Sequence, residues 1–251
     1  MIEVNGLFWL LLLLLPLLFV QRRLQGEIQA VFLLLTRRQD AAIVLFSILF
    51  LPGVLLHELS HWIAARLLGV PTGRFSIIPK RMDAGRLRLG YVETASADVF
   101  RDAIIGAAPL FAGGLFVAYV GWIQLGVADI WATQPEINGS SFPEILNFIY
   151  HQPDFWLWFY LTFAVSSTMF PSISDRRAWL PVGLVFCGLT VLVFISGTGP
   201  WLIEHLEPVL NIAIWSSVLV LSISLVVQIV LLLPCYLARR ILNRLTGLQV
   251  L

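Results

Sequence analysis

Residues 41–61 read AAIVLFSILFLPGVLLHELSH: sixteen uncharged residues from Ala41 to Leu56, then His57-Glu58-Leu59-Ser60-His61. About 20 predominantly apolar residues are needed to cross the hydrocarbon core of a bilayer as a helix, so this segment, continued to residue 69, is predicted to be a membrane span. Pro52-Gly53 lies within it, where a kink or a break in the hydrogen-bond ladder is expected. Three ionisable side chains cluster within five residues at its end. Such groups are costly inside a span and default to a functional role.

The rest of the chain has the same character. Of its 251 residues 59% are hydrophobic and 12% charged, with a mean hydropathy of +0.88. A soluble domain carries about 25% charge, so lipid must be the solvent for much of this surface. Apolar runs mark six spans, at about 6–20, 41–69, 103–126, 155–171, 178–197 and 208–235. The expectation is an all-α polytopic membrane protein of about six transmembrane helices, integral to the bilayer and multi-pass. The first span is short, and the N-terminus lacks the basic region of a removable signal peptide, which favours a retained span. The net charge of +1 points to no nucleic-acid partner. Cys187 and Cys235 sit in apolar runs without metal-knuckle spacing and read as core or lipid-facing residues.

Charge distribution orients the spans. Arg66, Arg74, Lys80, Arg81, Arg86, Arg88 and Arg101 lie at the end of the second span and in the loop after it. Arg176 and Arg177 follow the fourth, and Arg239, Arg240 and Arg244 follow the sixth. The loops after the third and fifth spans contain no Lys or Arg, only the acidic Asp129, Glu136, Glu144, Asp154, Glu204 and Glu207, so the positive-inside rule places the basic set in the cytoplasm. The connector with Arg22, Arg23, Arg37 and Arg38 disagrees and leaves the orientation of the first span open. Residues 74–78 and 87–92 flank a turn-rich stretch and predict a small cytoplasmic β-hairpin after the HExxH helix. Three regions follow: 1–40, an N-terminal span and connector; 41–177, a three-span core; and 178–251, two spans and a basic tail.

Histidines four residues apart share one helix face, about 6 Å along the axis. Both imidazoles can then bind one Zn²⁺, with Glu58 as general base toward the attacking water. Zinc lowers the pKa of that water towards 7 and polarises a scissile carbonyl. His57 stands roughly 24 Å along the helix from Ala41, which puts the active site towards the cytoplasmic face. A catalytic zinc takes a third protein ligand. The fourth span runs in the same direction as the second, so Asp175 arrives at the same depth; its alternative role is a solvated cap beside Arg176 and Arg177. His151, Asp154, Glu204 and His205 are expected at the opposite face.

With His57-Glu58-Leu59-Ser60-His61, Gly106-Ala107-Ala108-Pro109 and Thr168-Met169-Phe170-Pro171 running to Asp175, the chain resembles the site-2 protease family of intramembrane zinc metalloproteases over roughly residues 41–177. Ser174 and Arg176 flank Asp175 where the family has Leu and Gly, and Thr168 stands where Asn is usual. The resemblance implies an endopeptidase that cleaves the transmembrane helix of a membrane-protein substrate. Two other readings are a noncatalytic protease-like protein that binds transmembrane helices or zinc, and a metal transporter. The intact Glu58 argues against the first. The absence of His or carboxylate within the third, fifth and sixth spans argues against the second. Asn138-Gly139-Ser140, in the predicted outer loop, is a glycosylation sequon.

Overall fold

A computed structural model describes residues 4–81, 87–126, 129, 147–197 and 199–248. The Asn138 sequon and the turn at residues 82–86 lie outside the described residues. The helices are α1 (Val4–Thr36), α2 (Gln39–Leu67), α3 (Val99–Tyr119, continued by a π-turn at Val120–Gln124), α4 (Phe155–Ser166), α5 (Trp179–Ile195) and α6 (Gly199–Thr246). Among the described residues, four helical stretches are long and apolar enough to cross a membrane: Gly6–Thr36, Gln39–Leu67, Val99–Gln124 and Ala213–Thr246. These make the chain consistent with an integral membrane protein. The predicted fourth and fifth spans are the shorter apolar helices α4 and α5.

Two sequence expectations change. The basic connector after the first span is no loop, since α1 runs unbroken through Arg22 and Arg23 to Thr36. The last helix also runs the other way from an alternation of six crossings. Gly6 of α1 faces Ile214 and Trp215 of α6, and Glu27 pairs with Arg239, so α1 and α6 are parallel. α2 and α4 are parallel to each other: the Tyr160 hydroxyl donates to the Leu49 carbonyl, and Gly53 packs on Ala164. α1 and α2 are joined by two residues and fold back as a hairpin. α1, α3 and α6 therefore oppose α2 and α4. Arg37, Arg38, Arg239, Arg240 and Arg244 gather at the end of the bundle where α2 begins, while Arg66, Arg74 and Arg101 mark the end where it finishes. With basic residues at both ends, charge loses much of its power to orient the molecule.

Side chains from four helices meet in the main core, where Leu24, Ile28, Phe46, Phe50, Val54, Phe163 and Val227 are buried together. Lipid gives little hydrophobic drive between helices, so close approach through small residues does the packing. Gly53 lies against Ala164, Gly113 against Met169 and Gly121 against Ile223, each with no room for a Cβ. α2 stays helical through Pro52.

α2 ends in a Schellman motif. Gly69 adopts φ 68°, its N–H donates to Arg66, and the Val70 N–H donates to Ala65. Val70 and Ala65 are buried together, the apolar contact this cap favours. The turn delivers the chain into the expected hairpin: β1 (Thr72–Ser76) pairs antiparallel with β4 (Tyr91–Thr94), and β2 (Lys80–Arg81) with β3 (Leu87–Arg88). Asp98 then caps α3, its carboxylate accepting from the N–H groups of Phe100 and Arg101 at 3.1 Å.

Candidate metal centre

His57 and His61 project from one face of α2, with ring centroids 4.9 Å apart. Each Nδ1 lies against a backbone carbonyl: His57 at 2.7 Å from Thr168 and His61 at 2.8 Å from Ile105. A carbonyl only accepts, so both rings carry their proton on Nδ1 and present an Nε2 lone pair. The two Nε2 atoms face each other at 3.2 Å. Two lone pairs so close repel, and a cation between them turns that repulsion into attraction.

Asp175 closes the cluster. Its Oδ1 is 3.6 Å from His61 Nε2 and its Oδ2 is 3.9 Å from His57 Nε2. The Ser172 N–H donates to Oδ2 at 2.7 Å and orients the carboxylate. A tetrahedral ion bound at about 2.0–2.1 Å holds its ligand atoms roughly 3.3 Å apart, close to the separations found here. His57, His61 and Asp175 could thus hold one metal ion. The carbonyl partners of both Nδ1 atoms are the outer-shell acceptors that fix a metal-binding histidine's tautomer and ring plane.

No family model, curated protein or solved structure matches the chain. The site's chemistry therefore rests on its own geometry.

Asp175 belongs to a non-helical segment between α4 and α5, and two features bring it to the histidines. α4 ends at Ser166, and Phe170-Pro171 disfavours its resumption, because the residue before a proline avoids the α region and the proline itself lacks an N–H. Gly106 of α3 then lies so close to the Asp175 carbonyl that no side chain fits. Arg176 and Arg177 have other partners: Arg176 Nε donates to the Ser172 carbonyl at 3.3 Å, and Arg177 pairs with Asp102 at 2.6 Å.

A cavity of about 750 Å³ opens beside the cluster. Glu58, 8% exposed, shares its wall with the three ligand candidates. The hairpin covers this side, because a Cβ on Gly90 would lie 2.9 Å from Glu58 Cγ and from Val54 Cγ1. His151 and Asp154 precede α4 and so lie at the far end of the bundle, as expected. Glu204 and His205 do not: the reversed α6 carries them beyond the metal-centre end, though outside the cluster.

Sequence reading missed the Thr168 and Ile105 carbonyls and the role of Gly106. It also missed α1, whose Gln25 and Gln29 line the cavity. The spacing Gln21, Gln25, Gln29 on one helical face, directly after an apolar run, was the available signal.

Proposed function

We propose that this protein is an intramembrane zinc endopeptidase that cleaves transmembrane segments of other membrane proteins. The observation that carries the reading is the convergence of two histidines, each with Nδ1 committed to a carbonyl, and Asp175 on one point, with Glu58 on the same cavity wall. Two imidazole nitrogens and one carboxylate oxygen suit zinc with an open fourth position. When bound there, zinc polarises a carbonyl and acidifies water.

The chain's own residues do the rest. His57 and His61 hold fixed ring planes through Thr168 and Ile105, and Asp175 is held by the Ser172 N–H. Glu58 takes the proton of the attacking water and delivers it to the departing amine. A substrate helix must unwind locally to enter, because helical peptide bonds are enclosed by their own backbone. The resemblance of residues 41–177 to site-2 proteases supports the substrate class. Because basic residues stand at both ends of the bundle, charge alone does not set the side the site faces, and labelling of single cysteines placed at residue 78 in intact cells tests whether that side is cytoplasmic.

The decisive comparison is Glu58→Gln against wild type, scoring cleavage of a single-span reporter together with zinc content. Cleavage should fall by about 10²–10⁴ with zinc retained. Undiminished cleavage by the variant overturns the mechanism. Zinc binding without cleavage by wild type across a panel of reporters favours the noncatalytic reading.

A further inference from the structure

Pro171 leaves a backbone carbonyl in need of a partner. In an uninterrupted helix the Ser167 carbonyl would accept from the N–H of residue 171, which proline lacks. Two side chains of α1 take its place. The amides of Gln21 and Gln25, one turn apart, both donate to the Ser167 carbonyl, at 2.7 and 3.0 Å. Gln21 Oε1 is buried with no partner among the described residues, so the donor end of this amide is what its position serves.

The supported carbonyl adjoins the metal centre. Ser167 C=O and Thr168 N–H form one rigid peptide plane. The glutamines hold it by its oxygen, and the Val165 carbonyl holds it by its N–H at 3.0 Å. The next carbonyl along the chain, that of Thr168, accepts from His57 Nδ1 at 2.7 Å. With the preceding plane immobilised, little freedom remains to Thr168, and the plane of the His57 ring follows from it. The same segment continues to Asp175, which is held separately by the Ser172 N–H and by close packing on Gly106.

We infer that Gln21 and Gln25 are positioning residues of the metal centre, acting through the Ser167 carbonyl, and that α1 is thereby a working part of the site. The inference rests on the proposed metal-binding role of His57, His61 and Asp175. It goes beyond that role in making metal affinity depend on a helix that supplies no ligand.

Co²⁺ titration of the full-length protein in detergent, followed by its visible spectrum, tests this. Losing an outer-shell partner typically costs about 10–100-fold in metal affinity. Acting one step further out than such a partner, Gln21→Leu/Gln25→Leu should weaken Co²⁺ binding by up to about 10-fold, the low end of that range, and reduce the tetrahedral band intensity. Each single variant should lose much less, because one amide still occupies the carbonyl. Gln21→Asn/Gln25→Asn keeps the polarity but shortens the reach, and it should show the same loss if the leucine variant fails to fold. A folded double variant with wild-type affinity and spectrum overturns the inference. Wild-type protein that binds Co²⁺ no better than His57→Ala/His61→Ala overturns the metal-centre reading, and the inference with it.

Discussion

The candidate metal cluster is assembled from two regions of opposite character. α2 supplies His57 and His61 on a regular helix, where a spacing of four residues places both rings on one face before the distant Thr168 and Ile105 carbonyls set the ring planes. Residues 167–177 supply Asp175 from a stretch without regular structure, held at Asp175 by Gly106 of α3 and the segment's own Ser172 N–H, and held at Ser167 by two glutamines of α1. The difference teaches where the site is robust and where it is fragile. Changes to neighbours of the helix should leave the histidines in register, whereas changes to neighbours of the segment should move a ligand.

Gly106→Val puts the comparison under the greatest stress. Its side chain would occupy the place of the Asp175 carbonyl, so zinc affinity should fall by about 100-fold, the upper range for loss of a supporting contact, as read by competition with a chelating dye. A variant that binds zinc like wild type would show that the segment is not held from α3. Pro171→Ala comes next. It restores an N–H that can reach Ser167 and lets α4 lengthen, so Asp175 should shift and zinc affinity should drop by about 10-fold, with added helix by circular dichroism.

Gly90→Ala probes the hairpin rather than either ligand region. A Cβ there crowds Glu58 but no ligand, so zinc affinity should hold while cleavage slows by a fewfold. An equal loss of both would mean that the hairpin supports the histidines. Asp102→Asn should do least. Its partner Arg177 is 63% exposed although Asp102 itself is only 16% exposed, so the pair should contribute about 1 kcal/mol, the upper end for an ion pair that reaches solvent, and the melting temperature should fall slightly, less so in high salt.

The same contrast explains what could be read in advance. The HExxH histidines and their shared face follow from helical periodicity alone. Asp175 was reachable because α4 runs parallel to α2 and the segment after it arrives on the same side. The hairpin showed itself in two β-prone runs. The direction of α6 did not, because neither hydropathy nor charge distinguishes a helix from its reverse; only the facing pairs Gly6 with Ile214 and Glu27 with Arg239 do so. The part played by α1 was hidden for a related reason. Arg22, Arg23 and Glu27 look like loop residues until Glu27 is seen buried against Arg239, with Arg23 beside it at 3.0 Å. Gly106 was legible as a small residue, but that it seats an aspartate depends on contacts between segments far apart in sequence.

The carbonyls that hold the two imidazoles have a consequence for synthesis. Thr168 and Ile105 lie downstream of both histidines, and so does Asp175. At chain elongation rates of about 5–20 residues per second, α2 waits on the order of ten seconds before the last of these arrives. Until then its imidazoles are free to rotate and to exchange tautomers, and a captured ion has only two ligands. A metal ion held by all three candidate ligands, and any chemistry proposed for it, would thus have to await the closing of the bundle.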